Sequence, residues 1–80
     1  MSAADAQEVK NFLLQSDQQF RQLAEQHHQL DHRLHQLIEK LYLSATEQFE
    51  QITLKKRKLA LKDQMESIVR EYARQHSRPS

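Results

Sequence analysis

Apolar residues recur along the first half of the chain at alternating steps of four and three. This stripe begins at Val9 and ends at Leu41, and eight of its ten positions are apolar. A repeat of about 3.5 residues keeps one narrow face of a helix turned towards a partner helix. The positions are Val9, Leu13, Ser16, Phe20, Leu23, His27, Leu30, Leu34, Leu37 and Leu41. The pattern therefore predicts a long helix with coiled-coil-like packing.

A helix start is embedded in this stripe. Ser16 and Asp17 are residue types that accept hydrogen bonds from the free N–H groups at a helix N-terminus. We therefore expect a helix over about residues 5–43 with a break near residues 16–17, which would set apart a short extra N-terminal helix.

The chain reverses after this helix. Ser44 and Glu47 have the spacing of a capping box, in which the serine hydroxyl accepts from the Glu47 N–H and the carboxylate reaches back. We expect the turn at residues 43–45, a second helix over about residues 45–76 and a frayed tail at residues 77–80. Such a short connection makes the second helix run antiparallel to the first.

The second helix has an apolar stripe with the same steps. Its positions are Leu54, Lys58, Leu61, Met65, Ile68 and Tyr72. Folding at the predicted turn pairs Leu54 with Leu34, Leu61 with His27, Met65 with Leu23, Ile68 with Phe20, and Tyr72 with Ser16. A small serine opposite a bulky tyrosine is the size complementarity that a packed seam favours. The sequence thus predicts an all-α protein, an antiparallel two-helix hairpin forming a single domain.

A second apolar set does not fit this seam. It lies on the opposite side of the second helix, at about 100° per residue, and continues at the turn. Its members are Leu41, Tyr42, Phe49, Ile52 and Leu59. Two helices cannot shield both faces, and chains this small rarely build a sufficient core alone. We therefore expect self-association into a helical bundle through this set. The alternative is that the same face docks another protein.

Two motifs resemble a known family. The first is Phe20-x-x-Leu23-x-x-x-His27-x-x-Leu30-Asp31-His32, and the second is Leu54-Lys55-Lys56-x-Lys58-Leu59-x-Leu61-Lys62-Asp63-x-Met65. With these motifs the chain resembles, over about residues 9–72, the YdcH-like family of small bacterial proteins, a domain of unknown function. Gln64 and Gln18 depart from the acidic residue and the proline that the family often has there. The resemblance implies a helical hairpin with coiled-coil character and brings no established activity, cofactor or partner.

Composition agrees with a helical chain. There is no Gly or Cys, and the single Pro is Pro79, so nothing divides the chain into strands and tight turns. Residues 1–43 contain four Lys/Arg and six Asp/Glu, whereas residues 44–80 contain eight and five. Opposite signs suit helices that lie side by side. No secretory signal or membrane-spanning apolar run is visible, so we expect a cytoplasmic protein.

A basic stretch raises the question of nucleic-acid binding. Its lysines are Lys55, Lys56, Lys58 and Lys62, with Arg57 between them. Clustered cations displace counterions from phosphates, but four successive helical residues fan over ~300° and form no flat patch. We expect a solvated face with cross-helix ion pairs, with Asp31, Glu39 and Glu50 within reach as neutralising partners. Binding of nucleic acid, or of an acidic protein or membrane surface, is the alternative.

Four histidines fall within nine residues. His28, His32 and His35 share a helix face with Glu39, and imidazoles one turn apart can chelate a divalent metal. Because all four side chains come from one exposed helix flank, we expect no physiological metal site. His27 lies in the seam, where we expect a half-buried imidazole that donates to a neighbouring carboxylate or carbonyl. A pH switch is the sharper alternative.

No catalytic set emerges from the sequence. There is no Gly-rich phosphate loop and no Cys nucleophile, and two helices rarely form a substrate pocket. We therefore expect a non-enzymatic structural or protein-interaction module without a cofactor.

Overall fold

The computed structural model describes residues 3–76, and this part of the chain consists of three α-helices without a strand. Helix α1 spans Ala3–Ser16, α2 spans Gln18–Ile38 and α3 spans Ala45–His76. The helices form a rod of 57 × 20 × 18 Å. The all-helical prediction is confirmed, and the predicted tail at residues 77–80 lies outside the described residues.

A single residue separates α1 from α2. The backbone of Asp17 is extended (φ −116°, ψ 112°), and its carboxylate accepts a hydrogen bond from the Phe20 N–H at 2.9 Å. An aspartate at this position satisfies one of the N–H groups that a helix leaves free at its start. The Asp17 N–H itself still donates to the Leu13 carbonyl at 2.8 Å. The helix is thus interrupted where the capping residues predict, and α2 begins directly after the single residue that follows α1.

Helices α2 and α3 pack against each other in opposite directions. The Asp31 carboxylate lies 2.5 Å from the Lys58 ammonium, and Arg33 lies 2.9 Å from Glu50. Each pair joins residues about equally far from the turn, as antiparallel helices require. Helix α1 packs beside the C-terminal part of α3.

The core consists of two clusters, one at each end of the rod. Near the turn it contains Leu34, Leu37 and Leu54, with Leu30 and Leu43 packed against them. At the far end it contains Leu13, Phe20 and Val69, with Val9, Met65, Ile68 and Tyr72 against them. The predicted pairs of Leu54 with Leu34 and of Ile68 with Phe20 each share a cluster.

Ten residues of the predicted hairpin seam are buried or half-buried, whereas Ser16 and Leu41 of the same stripe are exposed. The buried ones are Phe20, Leu23, Leu34 and Leu54, and the half-buried ones are His27, Leu30, Leu61, Met65, Ile68 and Tyr72. The sequence missed Val69, which is only 5% exposed. At this end α1 covers α3 together with α2, so the apolar contact is wider than one stripe.

Helix α2 ends earlier than its apolar stripe predicts. The prediction was a helix through residue 43 and a turn at 43–45, but α2 ends at Ile38 and residues 39–44 form the connection. Leu43 packs back onto the core cluster near the turn. A helix continued to residue 43 would carry this leucine past the end of the core, at about 1.5 Å per residue. Leu41, expected in the stripe, is therefore exposed.

The predicted contact between Ser16 and Tyr72 is wrong. Ser16 is exposed, and its hydroxyl donates to the Phe12 carbonyl at 2.8 Å. The Tyr72 ring instead lies 5.4 Å from the Phe12 ring and 4.1 Å from the His76 ring, measured between centroids. Because Asp17 interrupts the helix, α1 does not continue the stripe of α2 in a straight line.

The start of α3 has the predicted capping box. The Glu47 N–H donates to the Ser44 hydroxyl at 3.1 Å, and the Ser44 N–H donates to the Glu47 carboxylate at 3.0 Å. These reciprocal bonds satisfy groups that the helix start leaves free. They fix the point at which the chain re-enters a helix after the connection.

Candidate interaction surface

Five large apolar side chains are exposed on the connection and along the first half of α3. Leu41 and Tyr42 are 90% and 87% exposed, and Phe49, Ile52 and Leu59 are 71%, 55% and 60% exposed. We call these five residues the turn-end surface. They are the same five residues that the sequence predicts as the interface.

These side chains are exposed because α3 has apolar residues on two opposite sides. Leu54 is buried against α2, whereas Phe49 and Ile52 lie about half a turn round the helix, at about 100° per residue. One neighbouring helix covers only one such side. The connection adds Leu41 and Tyr42, which extend from the end of α2 and contribute to neither core cluster.

A groove between α2 and α3 borders the turn-end surface. Its lining includes Leu59 from α3 and Ile38 from α2. Ile38 is 61% exposed, and it was not among the predicted interface residues. Its signal in the sequence was its position one residue after the seam residue Leu37, close to the turn. The exposed apolar area thus extends from α3 onto the last turn of α2.

The four lysines of the predicted basic patch do not all lie in the same environment. Lys58 is half-buried and pairs with Asp31, as the sequence predicted. This hydrogen bond holds the pKa of the Asp31 carboxyl below its ordinary value. Lys55 and Lys62 line the same groove as Lys58. Lys56 is exposed on the turn-end side of α3. Lys55, Lys58 and Lys62 therefore share one groove, in which Lys58 is already paired with Asp31, whereas Lys56 lies outside it.

The predicted pairing of Glu50 with the basic stretch is wrong. Glu50 receives two hydrogen bonds from the Arg33 guanidinium on α2, each 2.9 Å long. The planar guanidinium matches both carboxylate oxygens at once, which a lysine ammonium cannot do. Hydrogen bonding to Arg33 is also the main cause that lowers the pKa of Glu50. Glu39 terminates α2 through its backbone N–H and makes no ion pair within residues 3–76.

The exposed histidines bond within their own helix. The His35 Nδ1 atom lies 2.8 Å from the Asp31 carbonyl oxygen, and the His32 Nε2 atom lies 3.4 Å from the Gln36 amide nitrogen. His28 is exposed on the same helix. Within the described part of the chain, no group of three or more His, Asp or Glu side chains is placed to hold a metal ion.

His27 is half-buried, as its seam position predicts. It lines a shallow groove together with Lys58, Lys62, Met65 and Glu66 of α3, and with Lys10 of α1. The imidazole thus meets both cationic and anionic neighbours where the three helices come together.

Acid sensitivity is expected at the turn. Hydrogen bonds from the Lys40 ammonium and the Ser44 N–H lower the pKa of Glu47 from 4.5 to about 2. Because this pKa is lowered by folding, its stabilising contribution is complete above about pH 4.5 and is lost as the pH falls towards 2. We expect the midpoint of thermal unfolding, followed by circular dichroism, to decline across that interval.

Two glutamate-to-glutamine substitutions test whether this decline comes from Glu47. Glu47→Gln removes the charge at the turn and should make the decline between about pH 4.5 and 2 smaller. Glu25→Gln, at an exposed position of α2, should leave the decline as it is in the unsubstituted protein. An identical decline in all three proteins would contradict the assignment to Glu47.

Comparison with known proteins gives one match. A family model described as "Protein of unknown function (DUF465)" matches residues 20–69. No curated protein and no solved structure has a significant match to the chain. In residues 3–76, none of the helices has the length and apolar character that crossing a membrane requires.

Proposed function

We propose that this chain, which belongs to the DUF465 family of proteins of unknown function, is a non-enzymatic interaction module that self-associates through the turn-end surface. The unit that associates is the antiparallel, coiled-coil-like hairpin of α2 and α3. Both motifs that resemble the YdcH-like proteins lie within the matched residues, which supports placing the chain in that group.

The observation that carries the proposal is the exposure of the turn-end surface. Complete burial of one large apolar side chain contributes roughly 1.5–3 kcal/mol. A symmetric dimer covers the exposed part of five such side chains from each copy, and the summed gain of roughly 11–22 kcal/mol is comparable with or larger than the roughly 4–15 kcal/mol that association costs. A standard interface buries about 800 Å² per partner, which is a modest share of the 6361 Å² surface.

Charge at the turn-end surface is compatible with association. The nearby carboxylates Glu47 and Glu50 already pair with Lys40 and Arg33 inside the same chain. These two carboxylates keep their partners when a second copy approaches, so neither is desolvated as an unpaired charge.

Ile52→Glu is expected to convert the assembly into a monomer. A carboxylate in the middle of the apolar interface would have to lose most of its water against the Phe49 ring of the second copy, which is strongly unfavourable. We expect sedimentation at about 1–100 µM, the range that resolves micromolar affinities, to give more than 9.6 kDa for the unsubstituted chain and 9.6 kDa for the variant.

Leu14→Glu provides the control. Leu14 lies on α1, away from the turn, and is 38% exposed, so this variant should associate like the unsubstituted chain. A chain that sediments as a monomer throughout the range would contradict self-association. Loss of the assembly in both variants would show that the turn-end surface is not what holds it together.

Nucleic-acid binding through residues 55–62 is the competing function. The pairing of Lys58 with Asp31 and the distribution of the other lysines favour the interaction module instead. We expect no mobility shift of duplex DNA or of RNA at about 0.15 M salt, where screening leaves only well-formed cationic sites effective. A shift that Lys55→Glu combined with Lys56→Glu abolishes would favour the competing function.

A further inference from the structure

The exposed side of α3 has a heptad row of its own. Starting at Ala45, steps of four, three, four, three and four residues lead to Phe49, Ile52, Lys56, Leu59 and Asp63. All six side chains are exposed. Residues at this spacing lie on one face of a helix, and that face can contact a second helix along the whole row. The row therefore suits a helix partner better than an irregular surface.

We propose that α3 of a second copy packs antiparallel on this row, with the twofold axis passing between residues 50 and 51. This inference rests on the proposed self-association and adds the partner helix and its register. In a twofold interface the same patch meets itself. Phe49 of each copy then contacts Ile52 of the other, so the two most central apolar residues of the row form the middle of the interface.

In the same register, the second copy also covers the connection between α2 and α3. Leu59 lies about 13 Å from the axis along α3, at about 1.5 Å per residue, and Ala45 lies about 8 Å from it on the other side. The connection continues outward from Ala45, which brings Tyr42 of the second copy level with Leu59. Tyr42 would enter the groove between Leu59 and Ile38. One symmetric contact thus covers the whole turn-end surface.

The neighbouring register is disfavoured by charge and by the position of Tyr42. A shift of one heptad moves the axis to residue 54 and pairs Phe49 with Leu59. Lys55 and Lys56 of both copies would then crowd around the axis, and like charges at short range repel. That register would also bring Tyr42 level with the charged Glu66 of the second copy instead of the apolar Leu59. In the proposed register Lys56 instead faces the small side chain of Ala45 of the second copy.

Site-directed cross-linking tests the register, and the absence of native cysteines makes the result unambiguous. Ala45→Cys combined with Lys56→Cys should give a covalent dimer on mild oxidation, because the proposed register places these positions opposite each other. Within one copy they are about 16 Å apart along α3, which is beyond the Cα–Cα separation of at most about 7 Å that a disulfide spans.

The control is Ala45→Cys combined with Asp63→Cys, which face each other only in the neighbouring register. We expect at least tenfold less covalent dimer from this pair, with sedimentation showing that both variants associate before oxidation. A dimer that links 45 to 63, or links neither pair, overturns the register and leaves self-association standing. A monomer in sedimentation before oxidation overturns the proposed function itself.

Discussion

Phe20→Ala is expected to remove a large fraction of the free energy of unfolding at 25 °C. Phe20 is 1% exposed and lies in the core cluster with Leu13 and Val69. Replacing a buried phenylalanine with alanine costs about 3–5 kcal/mol, because apolar contacts are lost and a cavity remains. A chain of this length has a total stability of roughly 4–12 kcal/mol at 0.05–0.15 kcal/mol per residue. The expected loss is therefore a large fraction of the total stability. Urea titration followed by circular dichroism measures it.

Phe49→Ala is the matched control for this prediction. It removes the same atoms from a residue that is 71% exposed, so little buried area is lost within one chain. The unfolding midpoint of this variant should stay close to that of the unsubstituted protein when both are measured at a concentration that keeps them monomeric. Equal destabilisation by the two substitutions would mean that the core at the α1 end is not built around Phe20.

The local elements could be predicted from the sequence because their causes are local. The steps of four and three identify which sides of α2 and α3 meet, and the buried Leu34 and Leu54 follow from them. Ser44 with Glu47 predicts the start of α3, since both partners of the capping box lie within one helical turn. Asp17 predicts the break in the same way.

The long-range details could not be predicted because they depend on choices among several partners. Glu50 could have paired with a lysine of its own helix, but the two-pronged contact with Arg33 is geometrically better. The end of α2 depends on Leu43 returning to the core, which no spacing rule states. The contact between Phe12 and Tyr72 depends on how the break at Asp17 orients α1 relative to α3.

The turn-end surface could be predicted from the sequence by elimination. An apolar residue that fits no seam must be exposed in a single chain, and that argument requires only the register of the seam. The same reasoning could not find Ile38, because a residue beside the seam can face either the core or water. Its exposure results from the end of α2 at that residue.

Replacing both Leu41 and Tyr42 with serine is expected to weaken self-association by a large factor without lowering the stability of the single chain. The two side chains are 90% and 87% exposed, so the folded monomer gains almost nothing from them. If a symmetric dimer buries them, each substitution acts twice. A loss of roughly 1.5–3 kcal/mol per buried side chain then implies a rise in the dimer Kd of at least ~10³.

Leu43→Ser should instead lower the stability of the single chain more than it weakens self-association, although Leu43 lies next to Tyr42 in the same connection. Leu43 is half-buried against the core cluster near the turn, so its loss should lower the unfolding midpoint of the monomer. Sedimentation equilibrium gives the Kd, and urea titration at low concentration gives the monomer stability. If the serine pair lowers the unfolding midpoint as Leu43→Ser does, the connection serves the fold alone. A raised Kd with an unchanged midpoint would mean instead that Leu41 and Tyr42 act only when a second copy is present.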